Sequence, residues 1–289
     1  MTVEEFSVAG AHAGPYALVT GPDNALWFTL VHSGQVGRFV PGEPVTVHPA
    51  GNGPTIITNG PDGALWFTEF KAHRIGRVTT TGEVTAFAPP TPESGPFGIC
   101  AGPDGALWFT MSAADRIGRI TTDGEITEFP LPSAGAFPSA ITAGSDGALW
   151  FTMNMANAIG RIGTDGEITT CPLPTEGAAP VGITAGADGA LWFVEIGAGQ
   201  IGRITTDGTI KEFPLPDRAA RPHAITVDGD GTPWFTEWGA NRVARIAEDG
   251  QVTGYDLPTP GSEPHGIAVG PDGAIWTALE TGSLARVTR

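Results

Sequence analysis

The stretch GPDGALWFTMSAADRIGRITTDGEITEFPLP, residues 102–132, decides the fold. It holds three short runs rich in aromatic and β-branched residues: ALWFT, RIGRIT and GEITEFPLP. Runs of that length and composition read as β-strands. Asp-Gly stands before the first run in GPDGA and between the last two in TTDGE, a strong hairpin signal. The GIC run just before (98–100) makes a fourth strand. No segment shows a sustained helical period.

The same unit recurs along the chain. Its tryptophan falls at 27, 66, 108, 150, 192, 234 and 276, with spacings of 39 and then 42. Seven copies fill the 289 residues, and a period near 42 belongs to solenoids and propellers. Four antiparallel strands per copy, seven times over, predict an all-β, seven-bladed β-propeller as one domain over 1–289. The seventh copy ends at SLARVTR (283–289) without its last strand, and VEEFSV (3–8) has that strand's pattern. The N-terminus is therefore expected to complete blade seven, leaving no unpaired edge.

Composition narrows the function classes. The 42 glycines and 26 prolines recur at fixed positions, as turns do, and 40% hydrophobic content suffices for a large core. A net charge of −16 opposes non-specific binding to nucleic acid or to anionic membranes. No apolar run is long enough to span a bilayer, and MTVEEFSVAG has neither the basic nor the apolar region of a secretory signal. Cys100 and Cys171 occupy different slots of different repeats, so they read as small core residues rather than a disulfide. A cytoplasmic monomer acting on a small molecule is the expectation.

Two slots vary strongly from blade to blade, and both fall at the same mouth of the ring. The residue after the proline that opens each first strand is Tyr16, Thr55, Phe97, Ser139, Val181, His223 or His265. The residue four after each tryptophan is Val31, Phe70, Ser112, Asn154, Ile196, Trp238 or Glu280. Variable residues on a repeated scaffold are where binding lives. Tyr16, Phe70, Phe97 and Trp238 would floor a cleft for a bulky apolar ligand. Polar members converge on blades six and seven: His223, Glu263, His265 and Glu280. Two carboxylates beside imidazoles suit a divalent metal, a general base, or both. Mg²⁺ typically takes one or two protein carboxylates, whereas zinc prefers more His or Cys ligands than are present.

Other recurrent residues read as scaffold. An arginine fills one slot in every blade, from Arg38 to Arg286, and Glu69, Glu195 and Glu237 all stand three after a tryptophan. His12, His32, His48 and His73 fit no constellation and are expected at the surface. In blade seven, Thr277 stands where an aromatic is expected after the tryptophan.

At ARPHAIT (220–226), WFTEWGAN (234–241), PVGIT…ALWFVEI (180–196) and EPHGI (263–267) the chain resembles the virginiamycin B lyase (streptogramin B lyase) family over essentially its full length. The resemblance implies a lyase that opens a cyclic depsipeptide antibiotic by elimination at its ester bond, without water, using Mg²⁺. It further implies that Glu263 and Glu280 hold the metal, His265 is the base, His223 contacts substrate and Tyr16 lines the cleft. The chemistry suits those residue types. Enolate-like charge at the threonyl carbonyl calls for a Lewis acid, and an imidazole can accept a proton near neutral pH. Two other readings stand beside it: a non-catalytic binding propeller with a structural cation, and a metal-dependent lactone hydrolase on a similar fold.

Overall fold

The computed structural model describes residues 1–288 and contains seven four-stranded antiparallel sheets. In blade three the strands Pro96–Ala101, Leu107–Met111, Arg116–Ile120 and Ile126–Pro130 run from the ring's centre outward. Each inner strand packs against the inner strands of both neighbouring blades, and the circle closes between Pro264–Val269 and Pro15–Thr20. The ring closes as the sequence predicts. Thr2–Ser7 is the outer strand of blade seven, antiparallel to Ser283–Thr288, with Val3 opposite Val287 and Phe6 opposite Leu284. One turn of 3₁₀ helix, Trp238–Ala240, is the only helical element among the described residues. No described helix is long and apolar enough to cross a membrane.

The second strand of every blade is buried along its whole length, which explains its run of large apolar residues. In blades one to five its phenylalanine lies over a glycine of the third strand: a Cβ at Gly118 would sit 2.1 Å from Phe109 Cζ. Blade six pairs Phe235 with Ala244 and blade seven pairs Thr277 with Ala285. A third-strand Cβ is thus compatible with phenylalanine, and the pairing does not explain the aromatic missing from blade seven.

In every blade but the fourth, whose outer strand Ile168–Pro172 has no aromatic, the tryptophan packs against an aromatic ring of the outer strand. Phe129 stacks on Trp108 with ring centroids 5.4 Å apart. In blade one His48 takes that place over Trp27, at 5.8 Å. His48 is thus half-buried packing, a correction to its expected surface role.

In blades one to four and in blade seven the indole N–H is held by an aspartate from the turn before it, and the blade's arginine clamps the other carboxylate oxygen. In blade three Trp108 Nε1 donates to Asp104 at 3.0 Å and Arg119 Nε at 2.6 Å. Burial alone would raise the Asp104 carboxyl. The bonds from Trp108 and Arg119 outweigh it and hold the group below its ordinary value. The recurrent arginines are scaffold, as expected.

Candidate functional site

In every blade the inner strand breaks register just after its opening proline, so the residue at the variable slot sits in a bulge. A bulge re-aims a side chain, here at the mouth of the ring. A threonine of the second strand fixes most of these bulges to the next blade. Thr236 Oγ1 accepts from Ala224 N at 3.0 Å and donates to the carbonyl of His265 at 2.9 Å. Thr110 does the same for Gly98 N and Ser139 O. Val194 and Ala278 replace the threonine in blades five and seven, so the stitch is missing at the two other ring-bearing site residues, His223 and Tyr16. Of the three, only His265 has its backbone held this way.

The structure brings the predicted polar residues together. His265, only 9% exposed, places Nε2 2.8 Å from Glu280 Oε2. Ligand atoms of Glu263, His265 and Glu280 all lie within 4.8 Å of one another. The backbone brings the carboxylates together, since Glu280 N donates to Glu263 O at 3.4 Å. The His265 ring lies 4.6 Å from that of Tyr16 and 4.9 Å from that of His223, and Tyr16 and His223 are 6.0 Å apart. Blades six, seven and one thus meet in one triangle of rings beside two carboxylates.

Electrostatics divide the roles. Burial would raise the Glu280 carboxyl, but hydrogen bonds from His265 and His32 and the His265 charge overcome it and bring it down to about 2. It is a carboxylate at any working pH. Burial, and then the charge of His265, push His223 down to about 3, so it is neutral near pH 7. Burial and the nearby Glu280 charge push the Tyr16 phenol far up, so it stays protonated. The Nδ1 atoms of His223 and His265 are buried without a hydrogen-bond partner among the described residues. Orphaned buried nitrogens call for a further partner, and ligand atoms of two carboxylates and an imidazole within 4.8 Å of one another suit a cation. Oxygen-rich donors fit Mg²⁺.

Sequence reasoning missed three residues here. His32 was expected at the surface apart from any site; its ring is exposed, but its Nε2 lies 2.6 Å from Glu280 Oε1. The residue before each opening proline adopts positive φ in every blade: glycine at 14, 53 and 95, then Phe137, Ala179, Arg221 and Glu263 at φ 50–51. Left-handed backbone costs a non-glycine residue energy and clusters at functional sites. Reading that slot around the ring (Gly, Gly, Gly, Phe, Ala, Arg, Glu) would have found Phe137 and Arg221 alongside Glu263. No sequence signal pointed to His32.

A cavity of about 300 Å³ opens on the ring's axis, lined among others by Tyr16, Phe97, Phe137, Asn154, Val181 and His223. Tyr16 meets Phe97 edge-on at 6.4 Å, and Phe97 meets Phe70 edge-on at 6.2 Å. Phe70 and Trp238 do not line this cavity, contrary to the expected cleft floor. Trp238 opens the 3₁₀ turn at the rim, where the Arg221 guanidinium lies 5.3 Å over its ring. His73 accepts a bond from Gly95 N at 3.2 Å, and His12 is exposed. Glu69 and Glu237 pair with Arg74 and Arg242 at 2.7 and 2.6 Å, as scaffold. Burial pushes the Glu195 carboxyl up to about 7, partly offset by a bond from Gln200.

The model of the virginiamycin B lyase family matches residues 1–287. Virginiamycin B lyase from Staphylococcus aureus, solved with selenomethionine, superposes with a TM-score of 0.96 at 42% identity, covering 100% of this chain and 99% of that one. A catalytically inactive histidine-to-alanine variant of virginiamycin B lyase from Staphylococcus aureus, with quinupristin, superposes at 0.95 and 42% identity over the same shares. The curated virginiamycin B lyase of Streptomyces coelicolor is 66% identical over 95 residues, an alignment spanning 32% of this chain and 32% of that relative.

Proposed function

The chain belongs to the virginiamycin B lyase family, and from that premise we propose that it is a carbon–oxygen lyase with Mg²⁺ as cofactor, opening streptogramin B-type cyclic depsipeptides at the threonyl ester by elimination. The observation that carries this reading is the cluster of Glu263, His265 and Glu280 beside His223 and Tyr16, at the mouth of an apolar cavity. The inactive histidine variant of the Staphylococcus aureus enzyme, with quinupristin, supports a histidine-dependent reaction on such a ligand.

His265 takes the proton from the threonyl α-carbon. The C–H pair becomes the new Cα=Cβ bond, the Cβ–O ester bond breaks, and its electrons leave on the carboxylate. Glu280 Oε2, 2.8 Å from Nε2, stabilises the imidazolium formed. Neutral His223, one blade away, hydrogen-bonds the far side of the ester without repelling His265. Tyr16, protonated and packed on His265, lines the pocket beside it. Glu263 and Glu280 would hold Mg²⁺, which when bound supplies Lewis acidity toward the threonyl carbonyl oxygen. Tyr16, Phe97 and Phe137 give the ligand's aromatic groups apolar surface.

Mass spectrometry of a streptogramin B after incubation with protein and Mg²⁺ tests the reading. The expected product is linear and of unchanged mass, and His265→Ala lowers kcat by at least ~10²-fold with its circular dichroism retained. A product heavier by one water overturns elimination in favour of hydrolysis. No conversion overturns the lyase reading and leaves a binding propeller. A folded His265→Ala variant of near wild-type rate removes His265 as the base.

A further inference from the structure

Glu280 has two carboxylate oxygens, and each meets an imidazole. Oε2 faces His265 of its own blade; Oε1 lies 2.6 Å from Nε2 of His32, which belongs to blade one and stands 248 residues away. The repeat does not require an imidazole there. Five residues after the tryptophan, blades two to six carry Lys71, Ala113, Met155, Gly197 and Gly239. The backbone of His32 follows the repeat: His32 N donates to Ala13 O at 3.1 Å, as Ala113 N does to Ser94 O and Met155 N to Ala136 O. What differs is the side chain carried there. The ring lies across Gly14, where a Cβ would sit 2.4 Å from Cδ2, and Gly14 has a φ of +69° that disfavours any side chain.

We propose that His32 is a positioning residue of the cation site, holding the Glu280 carboxylate from across the seam between blades seven and one. This rests on the reading that Glu263 and Glu280 hold the metal. A glutamate at a solvent-facing mouth loses rotamer freedom when it ligates a cation. A donor that already fixes its second oxygen removes much of that loss and orients the first. Outer-shell partners of this kind typically change metal affinity about 10–100-fold. His32 touches neither the apolar cavity nor the His223–His265–Tyr16 triangle, so its effect runs through Glu280.

The test uses Mn²⁺ in place of Mg²⁺, with free Mn²⁺ read by electron paramagnetic resonance on the full-length chain. His32→Ala is expected to stay folded, since its side chain is 45% exposed, and to bind Mn²⁺ about 10-fold or more weakly. His32→Gln, which keeps an N–H donor at similar reach, recovers most of that affinity. In turnover, the Mg²⁺ concentration at half-maximal rate rises in His32→Ala, while kcat at saturating Mg²⁺ stays near wild type. Unchanged or tighter Mn²⁺ binding in His32→Ala overturns the assignment. Glu280→Gln separates the two layers. If it binds Mn²⁺ like wild type, the cation does not sit on this cluster and the role of His32 falls with it. If it loses binding while His32→Ala does not, only the role of His32 is refuted.

Discussion

His223 and His265 occupy equivalent slots one blade apart, yet their surroundings make them different chemical groups. His265 is bonded to a carboxylate, whereas His223 has its Nδ1 buried with no partner among the described residues and is pushed down to about 3 by burial and by His265. The sign of the linkage follows from that shift. A histidine whose folded value lies below its unfolded value of about 6.5 binds more protons unfolded than folded. Stability is therefore lost as pH falls from about 6.5 toward 3. Between pH 6.5 and 5 His223 lowers the melting temperature as pH falls, Glu195, pushed up to about 7, acts with the opposite sign, and Glu280, held near 2, does not yet titrate. His223→Asn should therefore gain stability relative to wild type as pH falls across that range in a series of thermal melts. An unaltered slope would show that His223 is not buried as the neutral form.

At the scale of the element, the inner-strand bulge and its threonine stitch do the positioning. Thr236 connects the blade-six bulge at Ala224 to the carbonyl of His265. Thr236→Val keeps the volume but leaves a half-buried N–H and a buried C=O without their partner. Such groups cost about 1–3 kcal/mol when orphaned. The variant is expected to lose about that much stability by chemical denaturation, and its kcat should fall more than that of Thr110→Val, which breaks the same stitch in blade three far from His265. Equal kcat in the two variants would mean the stitch supports the fold without aligning the base. The strands themselves were legible in the sequence, because period-42 copies of ALWFT and RIGRIT carry their own hairpin signals. The bulge was not, because it depends on pairing register rather than on residue type.

For the whole molecule, closure by the N-terminus builds the site. Thr2–Ser7 seals blade seven, and Phe6 packs 5.2 Å from Trp276 and 5.7 Å from Phe39 of blade one. Val8 and Ala9 both donate to Gly282 O, in the turn just past Glu280. Deleting residues 1–8 would strip the edge of Ser283–Thr288 and uncover Trp276. Comparable losses of buried aromatic packing cost about 3–5 kcal/mol, so the melting temperature should drop by about 5–8 °C. The open edge should also drive self-association, visible by size-exclusion chromatography. A truncated chain that melts like the full one and elutes unchanged would show that closure is dispensable.

The sequence by itself determined the blade count, the four-strand unit, the closing strand and the off-pattern residues Glu263, His265, Glu280 and His223, because a repeat exposes every departure from its own pattern. It placed those four together at one mouth on blades six and seven, but it could not show what reaches them from across the ring. His32 reaches Glu280 only because a ring brings its first and last blades into contact, and no local pattern encodes a contact between residues so far apart in the chain. Trp238 shares a slot with Glu280, yet the 3₁₀ turn after it and Arg221 over its ring place it on the rim. Side-chain direction in the left-handed slot and charge state in a buried cluster arise from neighbours on other blades, so only the tertiary structure decided them.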